Sequence, residues 1–82
     1  MIEEILMYVT SSGQLQSLAR DRRLSLKQTQ AAVATMAGVS RKWLSEFERG
    51  KESADLSLVL RLLDALGLAL QVTIRIDAGK RL

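Results

Sequence analysis

The sequence predicts a mainly α fold of four to five helices, closed by a single β-strand that pairs across a homodimer. Three observations carry this. Apolar residues recur at helical spacing up to Gly67, and the repeat then changes to strict alternation. No proline interrupts the helical stretches. Only 4% of the 82 residues are aromatic, so one modest core must be built from Leu, Val and Ala.

The first helix starts at "TSSGQLQSLARDRR". Ser11 with Gln14 three residues on fits a capping box, and Leu15, Leu18, Ala19 and Arg22 fall on one face. "LSLKQ" interrupts it. A second helix is expected from Thr29, its N-cap, to Ala37, with Val33, Ala34 and either Met36 or Ala37 turned inward. Gly38 ends it by allowing a left-handed backbone. Ser40 caps a third helix from Arg41 to Glu48, ended by Gly50, with Leu44 and Phe47 inward. Asp55 caps a fourth, "LSLVLRLLDALG", with a wide apolar stripe at Leu56, Val59, Leu60, Leu63 and Leu66, closed by Gly67.

In "LALQVTIRI", Leu68, Leu70, Val72, Ile74 and Ile76 alternate with other residues, as in a strand with one apolar face. A lone strand is unstable, and the simplest partner is the same strand of a second copy, paired antiparallel. "ILMYV" near the start is a weaker strand candidate, which could pair with it within one subunit or across the dimer. The chain thus divides into an N-terminal segment 1–10 with a candidate short strand, a helical domain 11–67, a dimerisation strand 68–77 and a tail 78–82.

What is absent narrows the function. Without Cys or His there is no thiolate, imidazole base or Cys/His zinc site. Glu3 and Glu4 are sequence neighbours and do not converge on a substrate, so no enzyme, catalytic residue, metal or cofactor is expected. No apolar run is long enough for a membrane span, and the acidic start is unlike a signal peptide, which implies a cytoplasmic protein. A net charge of +3 suits an anionic partner.

Two short helices joined by "AGV" form a helix-turn-helix, whose second helix enters the major groove of DNA. With Leu44 and Phe47 inward, Arg41, Lys42, Ser45 and Glu46 must face outward. Arg forms bidentate bonds to guanine, and Lys reaches guanine or phosphate. Trp43 is open to two readings, packing against a neighbouring loop or contact with DNA.

"TQAAVATMAGVSRKWLSEFERGK" resembles the Xre/Cro-type helix-turn-helix family, with its Thr-Gln, Gly-Val-Ser, Leu-Ser and Glu-Arg-Gly steps. The resemblance runs ungapped from about Leu15 to Gly67 and implies a lambda-repressor-like domain. "VTSSGQL", "LSEFERGK" and "LRLLDALGLALQVTI" together resemble the HipB-type antitoxins, which repress their own operon and restrain a HipA-type serine/threonine kinase toxin. The resemblance implies a bacterial, nucleoid-associated homodimer on a palindromic operator of double-stranded DNA. It places Gln30 on phosphate and against the recognition helix. Ser40, Arg41 and Lys42 fall where bases and phosphates are contacted. Ser45 and Glu46 lie further along the groove, and Arg49 where the chain recrosses the backbone. It also places Arg23 against Glu48 as an ion pair. Lys27 and Gln28 stand where the family commonly has glycine and an apolar residue, so a shifted turn is expected there, with Leu26 supplying the apolar contact. A stand-alone Xre repressor, or an interaction module that has lost DNA binding, are the rival readings.

Overall fold

The computed structural model describes residues 4–74 and 76. Among them are four helices, α1 (Ser12–Ser25), α2 (Gln30–Ala37), α3 (Arg41–Glu48) and α4 (Leu56–Ala65). Each begins with a polar side chain that accepts from an orphan amide of the first turn. Ser11 accepts from Gln14, Thr29 from Ala32, Ser40 from Trp43 and Asp55 from Ser57. The first cap departs from a reciprocal box. The Gln14 side chain takes the amide of Thr10 at 2.6 Å, one residue before the cap, together with the Thr10 hydroxyl at 3.1 Å.

Gly38, Gly50 and Gly67 all lie at positive φ, following α2, α3 and α4. At the end of α1 a lysine takes this role. Lys27 has φ 57°, and the amides of Lys27 and Gln28 close the helix onto the carbonyls of Leu24 and Arg23. Leu26 points outward and supplies no core contact.

The core gathers Ala19, Val33, Ala34, Leu44, Phe47, Val59, Leu62, Leu63 and Leu66, with Leu15, Val39, Trp43 and Leu68 packed on it. Helix α2 packs on both α3 and α4, and α1 on α3. Two helix faces differ from the expected ones. On α4, Leu62 is fully buried, whereas Leu56 and Leu60 are 65% and 43% exposed. Its apolar arc is wider than the core it meets, so Val59, Leu62 and Leu66 face in and Leu56 and Leu60 stay out. On α1 the buried residues are Gln16, Ala19 and Arg23, while Leu15, Leu18 and Arg22 are half-buried. Two polar side chains thus occupy the centre of the face, because each finds hydrogen-bond partners there. On α2, Ala37 is buried and Met36 faces outward.

No strand occurs among the described residues. Residues 4–10 and 68–74 are non-helical apart from the α4 exit, and residues 75 and 77–82 of the expected strand and tail lie outside the described set. The Leu68 amide reaches the Leu63 carbonyl at 2.8 Å, and beyond it the described backbone makes no hydrogen bond. Among the described residues "ILMYV" likewise forms no strand.

Candidate nucleic-acid interface

Helix α3 is short, and its two faces are sharply divided. Leu44 and Phe47 are buried four-helix core, and the opposite side presents Arg41 and Lys42 exposed with Ser45 and Glu46 half-buried. Spacings of three and four residues put Lys42, Ser45, Glu46 and Arg49 along one outward stripe. The Gly38 turn, at φ 72°, lets α3 leave α2 within three residues. Val39 packs on the core, and the Arg61 guanidinium donates to the Gly38 carbonyl at 3.3 Å, holding the turn against α4. The Ser40 hydroxyl accepts from the Trp43 amide at 3.0 Å, so it caps α3 at the point where the helix would approach DNA.

Trp43 stacks on Phe47, with ring centroids 5.2 Å apart and planes 9° from parallel. Its half-buried ring packs on the core.

Behind α3 a polar network fixes its far end. Arg23 donates from Nε to Glu48 Oε2 at 2.7 Å and from Nη2 to Oε1 at 2.8 Å, and its Nη1 donates to the Gln28 carbonyl at 2.9 Å. Gln30 adds a third bond to the carboxylate, Nε2 to Oε1 at 3.1 Å. Residues from α1 and α2 thus converge on the last residue of α3, and the α1–α2 turn holds Arg23 in place. Burial pushes the Glu48 carboxyl up, but the hydrogen bonds from Arg23 and Gln30, with the charges of Arg23 and Arg20, outweigh it and hold it below the usual range. Gln30 is therefore engaged with α3 through its amide nitrogen, which leaves its carbonyl oxygen outside this bond.

At the other edge, Lys51 Nζ lies 3.1 Å from Glu46 Oε2. The hydrogen bond and charge of Lys51, with Lys42 and Arg49 further off, draw the Glu46 carboxyl below its ordinary value. Lys51 is held in turn, because the buried amide of Gln16 donates to its carbonyl at 2.6 Å. Neither Gln16 nor Lys51 stood out in the sequence. Gln16 lies in a helical run that already had enough apolar residues for one face, and its partner is 35 residues away. Among the described residues no cluster of acidic side chains able to hold a metal comes together. The arrangement is a helix braced at its far end, with cations and hydrogen-bonding groups on its outward face.

A family model described as a helix-turn-helix domain matches residues 14–74. An HTH-type transcriptional regulatory protein of Methanococcoides burtonii is 31% identical over 70 residues, covering 85% of this chain. The chain spans only 21% of that protein's length. Among solved structures, one of a HipB–O1–O2 complex superposes with a TM-score of 0.78 at 22% identity, covering 84% of this chain and 100% of that one. A HipA–HipB–O2–O3 complex gives 0.79 at 22% identity, over 84% and 97% of the two chains. At this identity the likeness is one of fold.

Proposed function

The chain belongs to the helix-turn-helix domain family, and from that we propose that this DNA-binding regulator is a homodimeric repressor of the antitoxin kind. In this reading it represses its own operon and restrains a HipA-like serine/threonine kinase. The observation that carries DNA binding is the outward stripe of α3, with Arg41 and Lys42 exposed on a helix clamped from behind by Arg23, Gln30 and Glu48. Ser40, Arg41 and Lys42 would contact bases and phosphates; Ser45 and Glu46 would lie further along the groove, and Arg49 would meet the backbone where the chain recrosses it. Gln30 would brace α3 and reach phosphate with its free oxygen. The antitoxin role is supported by the fold shared with HipB, which has been solved with HipA.

The dimer would be built from surface that the single chain leaves open. Leu68, Leu70, Val72, Ile74 and Ile76 form the proposed pairing strand, and Leu70, Val72, Ile74 and Ile76 are exposed, as are Ile5, Leu6, Met7 and Tyr8. Residues 5–10 and 68–71 line one cavity of about 460 Å³, floored by Leu15, Leu18 and Leu63. These eight exposed side chains are the apolar surface that the pairing would cover. Leu56 and Leu60 lie at helical spacing from Leu63 and would extend the contact along α4.

Selection from a randomised duplex library, followed by sedimentation of the chain alone and with the selected duplex, tests this reading. Expected are a palindromic site with half-sites about one helical turn, or a multiple of it, apart, and a dimer that becomes monomeric on truncation after Gly67. Co-purification of a HipA-like kinase encoded beside the gene separates the antitoxin from a stand-alone Xre-family repressor. Failure to select any sequence would favour an interaction module that has lost DNA binding.

A further inference from the structure

Glu46 is an anion placed among cations on the surface that would meet a polyanion. Lys51 lies 3.1 Å from its carboxylate, and Lys42 and Arg49 add their charges from one helical turn to either side. A carboxylate here weakens attraction to every phosphate it approaches, whatever the sequence. The stripe would bind DNA more tightly with a neutral residue at this position. The side chain nevertheless has a defined partner: Lys51 donates to it, and the Lys51 carbonyl accepts from the buried Gln16 amide at 2.6 Å.

We propose that Glu46 is a specificity-determining residue that accepts a hydrogen bond from a cytosine amino group at one C·G pair of the half-site. This rests on the DNA-binding reading of α3. The choice of base follows from acceptor chemistry. An ionised carboxylate has no proton to donate, so in the major groove it can pair only with an amino group, cytosine N4 or adenine N6. Adenine carries the N7 lone pair beside N6, which repels a second oxygen. Cytosine presents its amino group beside a C–H edge and fits the carboxylate. Lys51 supplies the alternative partner. In free protein, or on a sequence without the cytosine, the Lys51 ammonium neutralises Glu46. On the matching sequence Glu46 turns to the base and Lys51 is freed for phosphate. Cost on wrong sequences and gain on the right one both widen discrimination, which is what a negative residue in such an interface can supply.

The test uses the full chain and a randomised duplex library, with anisotropy titrations on the selected duplex and its single-pair variants. Wild type should require a C·G pair at one position per half-site. Glu46→Gln, which keeps the shape and can pair bidentately with adenine N6 and N7, should lose the cytosine preference about tenfold and shift towards A·T there. It should also bind an unrelated duplex several-fold more tightly. Lys51→Ala should keep the cytosine preference while weakening the matching duplex, which loses a phosphate contact, and also unrelated duplexes, on which Glu46 is no longer neutralised. The proposal is overturned if wild type requires no C·G pair, or if Glu46→Gln keeps the same base with undiminished discrimination. Wild type selecting no sequence at all would instead remove the DNA-binding reading on which it stands.

Discussion

Arg23 and Glu48 face each other as a two-bond fork, at 2.7 and 2.8 Å, with their side chains only 10% and 4% exposed. The guanidinium is raised above its ordinary basicity, first by its hydrogen bond to Glu48, so the pair stays ionised. Removing one member strands the other charge in the protein. Arg23→Ala should cost about 3 kcal/mol at neutral pH, whereas replacing both with leucine should cost much less.

The pH dependence of this pair has a definite sign. In wild type the Glu48 carboxyl is depressed, so its contribution is present above the unfolded carboxylate range near pH 4 and is lost as pH falls through the folded value. In Arg23→Ala, burial loses its main opponent and raises the carboxyl instead. Its stabilising share then lies at low pH and disappears as pH rises. The destabilisation measured by urea unfolding should therefore be smaller at pH 4 than at pH 7. Equal losses at both would show that the carboxylate is not stranded.

Lys27 stands at φ 57°, in a region that side chains with a Cβ occupy at a cost. Lys27→Gly should stabilise the chain by about 0.5–1 kcal/mol, the relief of strain exceeding the added freedom of the unfolded chain. The urea midpoint should rise with unchanged slope. A lower midpoint would mean the lysine side chain makes a contribution of its own.

Arg41 and Arg49 should fail differently. Arg41→Ala is expected to cost roughly 1–3 kcal/mol on the selected duplex and to relax the preference at one base position. Arg49→Ala should weaken every duplex alike and reduce the salt slope by about one. Arg41→Ala binding at wild-type affinity would displace the recognition role from α3.

The absence of cysteine makes the tail accessible to a clean experiment. Met7 and Val72 are both exposed, on the two segments that line the cavity. Met7→Cys and Val72→Cys proteins, mixed and oxidised, should give the cross-linked pair if these segments meet across a dimer. A bond formed only when both thiols are on one chain would place the contact within the subunit.

The helix boundaries were legible because each depends on a few adjacent residues: a hydroxyl or carboxylate cap at the start, and glycine after three of the four ends. The inward faces of α2 and α3 followed as well, since small or polar residues leave few choices there. On α4 seven of the ten positions are apolar, too many for one face, so periodicity could not choose between Leu60 and Leu62. That choice is made by the packing of α2 on α4, which buries Leu62 and leaves Leu60 out. The candidate interface shows the same division. Arg41 and Lys42 are exposed because Leu44 and Phe47 are not, which local spacing gives. Gln16 and Lys51 are linked through a hydrogen bond between distant segments, and no local pattern encodes that.

The last backbone bond of the described tail joins Leu68 to Leu63, and Arg22 closes the same corner by donating to the Leu66 carbonyl at 2.8 Å. The four helices are therefore complete in themselves before the alternating segment begins. Under the proposed assembly, choice of mate and choice of operator are written in separate stretches of chain. Two paralogues in one cell could drift apart in residues 70–76 and stop forming mixed dimers while still reading one and the same site. Conversely, a new operator could be acquired on α3 without disturbing who pairs with whom.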